Sequence, residues 1–547
     1  MANLLSTGVS ALNAFQRVIT TTGHNIANAN TEGYSRQLVD LETRPAERYG
    51  DSYIGTGVDV QTVRRSYDNF LADNYRTYTS SSSGYEIYSE RVTLIDNLLA
   101  DPDSGLSTAF QDYFNAMQDV ATDPTSVPAR QVLLNEADQL AGRFNSLNTW
   151  LNDLHREVNA DLDNMTTEVN GLARSIAAVN ERIAEASANG AAPNDLLDQR
   201  DHLLDQLSQL VKVTTVTQDN NAVNVFIGNG QGLVIDNQAS SLQAVRDTTV
   251  PGDERRLQMV SPSGFAIDVT AQISGGQIGG LMSFRNEVLF PAQDQLGRLA
   301  VAVAERTNAL HTNGMDLNGA AGGDLFSVMD ASGAASPIVG TGSVAVTYVD
   351  PAEFQATEYT LDYTAADGWS ITPANTGVRQ VLGSGTSFSV DGLQIDVSGT
   401  PNPGDSYRLR PFRQASSAME LLITDPHAVA AADAGAAPDG FGDNTNALAM
   451  AQLQNDYTMI GGSASFADAY GQLVADIGTR ANEASNNAAV QSALADQVDA
   501  SRQAISGVNL DEEAANLVRF QQAYQAAAQV ISVANSLFDT LLGAVRG

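Results

Sequence analysis

No cysteine occurs in the 547 residues of this chain. That absence removes disulfides, thiolate metal sites and cysteine nucleophiles together, and is compatible with an extracellular protein held by packing alone. Basic residues are scarce as well: 29 stand against 64 acidic ones, Lys212 is the single lysine, and the formal charge is −35. Because the acidic count is ordinary and the basic count low, this balance reads as a depletion set by genome composition or a saline habitat. It bears on solubility rather than on a functional acidic patch, and it argues against nucleic acid, whose phosphates call for clustered Arg or Lys. Long apolar runs are also missing. No stretch of about eighteen apolar residues exists, so no membrane span is expected. Met1 to Ile26 lack the basic and compact apolar segments of a cleavable signal. The expectation is cytoplasmic residence, or export that needs no cleaved signal.

What the chain does have is apolar periodicity. With 43% apolar residues it can build about three or four domains of roughly 100–200 residues each. At the front, Leu5, Gly8, Leu12, Phe15, Ile19, Thr22 and Ile26 recur in alternating steps of three and four. At the back, Leu510, Leu517, Phe520, Tyr524, Ala527, Ile531, Ala534, Phe538 and Leu541 do the same. Such spacing keeps one narrow seam toward a partner helix. A lone helix of this length is marginal in water, so each end is expected to need the other end or its copy in another subunit.

Between the ends the period changes several times. Val39 to Thr43 and Val58 to Thr62 alternate like short strands, and helical spacing returns from Tyr67 to Leu99, with a weak point expected at Ser80 to Gly84. Leu140 to Ile183 carries the longest periodic run, a rod of roughly 75 Å with one stutter near Val158 to Leu162. Leu196 to Leu210 begins an antiparallel return. Period two then governs Val211 to Ile278, helix resumes from Leu281 to Leu310, and a Gly, Ser, Thr and Asp rich β region runs to about Pro411. Ser416 to Ile505 reads as helical again, with a loop near Gly435 to Asn444. The expected class is α+β multidomain: a terminal α-helical coiled-coil assembly domain (1–50 and 505–547), a long-helix bundle (51–210, 282–315 and 416–504), and inserted antiparallel β domains at 211–281 and 316–415.

Catalytic signals are weak. His24, His155, His202, His311 and His427 are scattered, without the i, i+4 pair of a helical zinc site. Gly228 to Gly232 lacks the Lys-Ser/Thr ending of a phosphate loop and is followed by strand pattern, so it reads as a hairpin turn. Asp439 and Asp443 have the spacing of the first and fifth calcium-loop positions, but Asn444 stands where the turn glycine belongs and Met450 where the closing Glu belongs. Asp195, Asp198 and Asp201 around Arg200 read as solvated helix-face charge. No cofactor, metal or catalytic set is expected.

The residues at both ends go beyond periodicity. Asn25-Ile26-Ala27-Asn28-Ala29-Asn30-Thr31-Glu32-Gly33-Tyr34-Ser35-Arg36-Gln37 resembles the N-terminal signature of bacterial flagellar rod, hook and hook-associated proteins, and the Gly-Tyr-Ser-Arg-Gln ending is typical of the hook-associated branch. Ser506 to Ala514, Leu517, Phe520 to Tyr524 and Ser536-Leu537-Phe538-Asp539 are similar to that branch's C-terminus. Asp195 to Asp201 and Asn308 to Leu317 match it internally. The resemblance covers about residues 1–212, 281–326 and 416–547.

This resemblance implies a non-enzymatic junction protein that polymerises as a ring or short tube between flagellar hook and filament and is needed for filament assembly and motility. Its implied partners are copies of itself, the hook protein and a second junction hook-associated protein. It implies export through the flagellar type III system with a chaperone at the C-terminal helix, and no nucleic acid or membrane span. The residues expected at the assembly interface are Leu5, Leu12, Phe15, Ile19, Ile26, Leu517, Phe520, Tyr524, Ile531, Phe538 and Leu541. The family motif rests on Asn25, Asn28, Thr31, Gly33, Tyr34, Ser35, Arg36 and Gln37. Asn509 is placed to cap the last helix, with Glu512 completing a capping box. Residues 1–50 and 505–547 are expected to be mobile in the free monomer. The alternatives are another axial component, such as hook or distal rod protein, and a secreted wall-active enzyme with flagellar-type ends.

Overall fold

The computed structural model describes residues 2–49, 51–103, 105–188, 193–250, 252–329, 331–340, 342–435 and 442–546. Its helices are α1 (Ala2–Ala27), α2 (Asn69–Ala100), α3 (Leu106–Thr122), α4 (Val127–Ala188), α5 (Asn194–Leu210), α6 (Gly276–Phe284), α7 (Phe290–His311), α8 (Thr445–Gln452), α9 (Phe466–Ser506) and α10 (Leu510–Arg546). Between α1 and α2 run β1 (Gln37–Thr43), β2 (Glu47–Tyr49), β3 (Ser52–Ile54) and β4 (Val58–Arg65). β1 pairs antiparallel with β4, and β2 with β3. The expected domain boundary at residue 50, itself outside the described residues, falls within this ribbon.

The rod is α4, whose 62 residues span about 90 Å. Its seam residues Leu140, Phe144, Leu147, Leu151, Leu154, Val158, Leu162, Val169 and Ile176 are buried, and belong to one large core that also takes in α2, α3, α5 to α9 and the first β region; Ile183 is buried as well. α2 passes through Ser80 to Gly84 without a break. The small residues there serve packing instead: a Cβ on Gly280 would lie 2.2 Å from the carbonyl of Gly84, so α6 crosses α2 at backbone contact. α6 and α7 are joined through a π-turn at Arg285–Leu289.

The first β region is a four-stranded antiparallel meander starting at Val213–Thr217, followed by a three-stranded sheet. Gly228 to Gly230 make the turn between Val223–Ile227 and Gln231–Ile235, as the hairpin reading expects. The second region folds around its own core. A five-stranded antiparallel sheet, with Ser406–Leu409 and Tyr359–Thr364 near its centre, faces a three-stranded one over Trp369, Tyr359, Leu361, Ile395, Tyr407 and Phe354.

Helix was expected over 416–505 apart from a loop near 435–444, and before that loop the structure differs. There the chain makes short 3-10 turns at Ala415–Ala418 and Pro426–Ala428 and a two-residue strand, Ala432–Asp433, paired with Gly314–Met315. Pro426 cannot continue a helix, and Arg130 of α4, 1% exposed, supplies a better partner for this segment than a helical ladder would. Its Nε donates to the carbonyl of Pro124 (2.7 Å), and Nη1 donates to those of Pro426 (3.4 Å) and Val429.

Candidate assembly site

α1 and α10 lie antiparallel against each other. The pairing uses the small residues of the two seams: Gly8 and Thr22 are buried on α1, and Ala527 and Ala534 on α10. A Cβ on Gly8 would sit 2.6 Å from Cγ1 of Ile531, and the rings of Phe15 and Phe520 meet at 6.4 Å. Leu12, Phe15, Ile19, Ile26, Leu517, Phe520 and Ile531 are half-buried. The remaining expected interface residues are not brought together. Leu5, Tyr524, Phe538 and Leu541 are 39%, 37%, 54% and 51% exposed, and Val530, Val533, Leu537 and Leu542 extend the same bare apolar surface along α10. In place of mobile ends the structure thus has an ordered helix pair, because small residues let the two backbones approach. The pair consumes one face of the apolar surface and leaves another uncovered.

The loop after α1 fixes this pair to the body. Asn25, 1% exposed, spends its whole side-chain amide there: Nδ2 donates to the carbonyl of Gln37 (2.9 Å) and to Glu513 Oε2 (3.2 Å), while Oδ1 accepts from the Gln37 amide (2.9 Å) and the Tyr34 hydroxyl (2.8 Å). Asn28 Nδ2 donates to the His24 carbonyl (3.0 Å) and its Oδ1 accepts from the Thr31 hydroxyl (3.2 Å), closing the turn. Gly33 has φ +76, and a Cβ there would lie 2.8 Å from that of His202 on α5, so both conformation and space require glycine. The Ser35 amide donates to Asp198 (3.1 Å), and Gln37 Nε2 to Asp195 (2.9 Å). Arg36 donates from Nε to Glu513 (2.8 Å) and from Nη2 to Glu512 (2.6 Å), tying the loop to the first turn of α10.

Two corrections follow. Glu512 does not complete a capping box: Asn509 caps α10, accepting from the amides of Asp511 (3.0 Å) and Glu512 (3.3 Å), but the Glu512 carboxylate turns to Arg36, a charged partner stronger than a neutral amide. Nor are the α5 carboxylates all solvated. Asp198 and Asp201 are 6% and 7% exposed; Arg65 Nη1 lies 2.7 and 2.8 Å from them, and Asp205 takes Arg76 (2.8 Å) and Arg502 (2.6 Å). Burial works against ionisation at Asp201, but Arg200, Arg65 and Arg76 outweigh it and hold its carboxyl below the ordinary range. At Asp198 burial prevails over Arg65 and pushes the carboxyl up. The same burial, with Asp201 beside it, pushes the Tyr67 phenol up to about 12. Asp198, Asp201 and Asp205 stand at i, i+3 and i+7, one helix face; that spacing, matched to Arg64-Arg65, was the available signal for this network.

The site therefore joins seven elements, α1, β1, β4, α2, α5, α9 and α10, through ion pairs and amide contacts. Among the described residues no group of three or more His, Cys, Asp or Glu side chains could hold a metal ion. Of the proposed calcium-loop residues, Asp439 and Phe441 lie outside the described residues; Asp443 accepts from the amides of Asp433 (2.7 Å) and Thr445 (3.2 Å). His311 is buried, with Nδ1 2.6 Å from the Gly323 carbonyl and Nε2 accepting from the Ala430 amide (2.9 Å). His427 is exposed beside Asp425. Among the described residues no helix is long and apolar enough to cross a membrane.

Comparison with known proteins agrees along the whole chain. Family profiles match residues 92–326 (flagellar hook-associated protein FlgK helical domain), 335–411 (flagellar hook-associated protein 1, D2-like domain), 5–34 (flagella basal body rod protein) and 500–544 (flagellar basal body rod FlgEFG protein C-terminal). The flagellar hook-associated protein 1 of Escherichia coli strain K12 is 34% identical over 552 residues, covering 99% of this chain and 100% of the relative. That of Bacillus subtilis strain 168 is 26% identical over 569 residues, covering 98% and 97%. The solved structure of the flagellar hook junction protein FlgK from Burkholderia pseudomallei superposes with a TM-score of 0.72 at 26% identity, over 79% of this chain and 100% of that one.

Proposed function

The chain belongs to the flagellar hook-associated protein 1 family, and from that premise we propose that it is the structural junction piece between hook and filament, acting through contact rather than catalysis. The observation that carries this reading is the bare apolar surface of α10, from Val530 through Leu542, standing on a helix pair whose base is fixed by Arg36, Glu513 and the α5 carboxylates. Large apolar side chains left in water on an ordered helix gain about 1.5–3 kcal/mol each when fully covered. Several covered at once offset the entropy of bringing copies together. The pair points to neighbouring copies as that cover, and the loop of residues 28–37 sets the angle at which the pair leaves the body.

In this division residues 1–50 and 505–547 are the assembly domain, 51–210, 282–315 and 416–504 the helical body, and 211–281 and 316–415 inserted β domains. The flagellar hook protein and the second junction hook-associated protein are the axial neighbours. The exposed stripe of α10 also suits an export chaperone before assembly, with passage through the flagellar type III system to the cell exterior.

Phe538→Asp with Leu541→Asp tests this reading. Both residues are more than half exposed, so the purified protein is expected to keep its melting temperature, while a strain relying on it loses filaments and motility. Normal motility in that strain would remove the stripe from the mechanism.

A further inference from the structure

The seam between the 331–411 domain and the helical body has two unlike halves. One is packed without slack. A Cβ on Gly297 of α7 would lie 1.8 Å from the Phe412 carbonyl, Val301 of α7 belongs to the domain's own core, and Phe412 packs on the rings of Phe354 (5.1 Å) and Tyr348 (5.8 Å).

The other half is ionic. Arg413 holds Asp294 of α7 through Nε (2.9 Å) and Nη2 (2.7 Å), with its guanidinium 4.1 Å from the Phe290 ring centre. Farther out, Arg410 lies 2.8 Å from Glu254 of the body and 2.8 Å from Glu358 of its own domain. Arg408 reaches only to 3.8 Å from Asp247 and 4.0 Å from Glu358. A cleft of about 760 Å³ opens beside these groups, with Asp268 and Thr270 on the body wall and Ala374 and Asn375 on the domain wall.

The ionic half is unsaturated: Nη1 of Arg413 and Nε of Arg408 have no hydrogen-bond partner. Burial, with Arg410 and Arg413 nearby, lowers the Arg285 guanidinium despite Glu254. Separating a packed carbonyl from a glycine breaks close contacts outright, whereas the partly exposed Arg408 pairs, already 3.8 and 4.0 Å apart, change little over an extra ångström, and the Arg410–Glu254 bridge is the one bond of this half that opening the cleft must break.

We propose that residues 331–411 swing as one body about the Gly297–Phe412 contact, with Arg408 and Arg410 forming a salt-sensitive clasp that sets how far the cleft opens. This does not depend on the junction role.

The absence of cysteine makes the test clean. Spin labels at Ala266→Cys and Thr376→Cys, both exposed and near opposite walls of the cleft, report its opening as a distance distribution in the full chain. Low salt is expected to give a single narrow distribution. At about 1 M NaCl, where screening acts over about 3 Å, the distribution should move to longer distances and broaden. Arg408→Gln with Arg410→Gln should produce the same shift at low salt, with Trp369 fluorescence showing the domain still folded. A distribution unmoved by salt in the otherwise unaltered chain overturns the clasp, whatever the substituted protein does.

Discussion

The terminal helix pair and the 331–411 domain solve the problem of apolar surface in opposite ways. The β domain closes over Trp369, Tyr359, Leu361, Ile371, Tyr407 and Leu409, each no more than 2% exposed. In α10, Val518, Val533, Leu537, Phe538 and Leu541 are each close to half exposed or more, although the helix is continuous from Leu510 to Arg546. Both regions are ordered, so order does not distinguish them. What differs is where the order comes from: the β domain holds itself, while the pair borrows rigidity from small-residue packing and from the polar base around Asn25, Arg36 and Glu513. A region can be regular in structure and still leave apolar surface uncovered.

Substitutions can break this comparison from either side. Trp369→Ala should be the most damaging to stability, costing about 3–5 kcal/mol by cavity formation, read as a large loss of the domain's melting temperature in calorimetry. Acidification should act on the body between the two regions. Burial lowers the His155 imidazole from 6.5 to about 4, with Arg285, Arg410 and Arg413 adding to the effect. Above pH 6.5 His155 is neutral whether folded or unfolded and the histidine contributes no pH slope. Below it the unfolded chain takes up the extra proton, and stability falls by about 1.4 kcal/mol per pH unit until the folded site protonates as well. The total reaches at most about 3 kcal/mol, reduced by whatever solvent reaches the ring. His155→Gln should flatten that slope in denaturant titrations at stepped pH.

Glu513→Ala removes one carboxylate from the base of the pair. Arg36 keeps Glu512 but Asn25 loses a partner, so the cost should be about 1–3 kcal/mol, seen as faster hydrogen exchange in α1 and the first turns of α10 with the β domain unaffected. Asn509→Ala should be mildest, about 1 kcal/mol of cap, confined to the first turn of α10. If Glu513→Ala instead loosened the β domain as much as the pair, the separation between the two regions would be wrong.

Much of this was legible in the residue order. The seams gave the terminal pair and the α4 rod, because a helix that packs along one face must repeat apolar residues at its own period. Within the seams, Gly8 and Ala527 allow close approach, and the antiparallel register that matches Gly8 to Ile531 and Phe15 to Phe520 leaves Phe538 and Leu541 exposed. The α5 carboxylates were misread because spacing alone does not say whether a charged face is wet; only the arrival of Arg65, Arg76 and Arg502 from distant segments buries them. Ser80 to Gly84 looked like a helix weakness because the need for small side chains there arises from α6, nearly two hundred residues away.

On the proposed function, the outer face of α10 is bare in the single molecule and covered by neighbours in the flagellum. Leu541→Cys puts the sole thiol of the chain on that face, and its maleimide labelling can be timed in the free protein and in isolated hook–filament joints. Rapid labelling of the free protein and strong protection in the joint are expected. Equal reactivity in both states would contradict the proposed function.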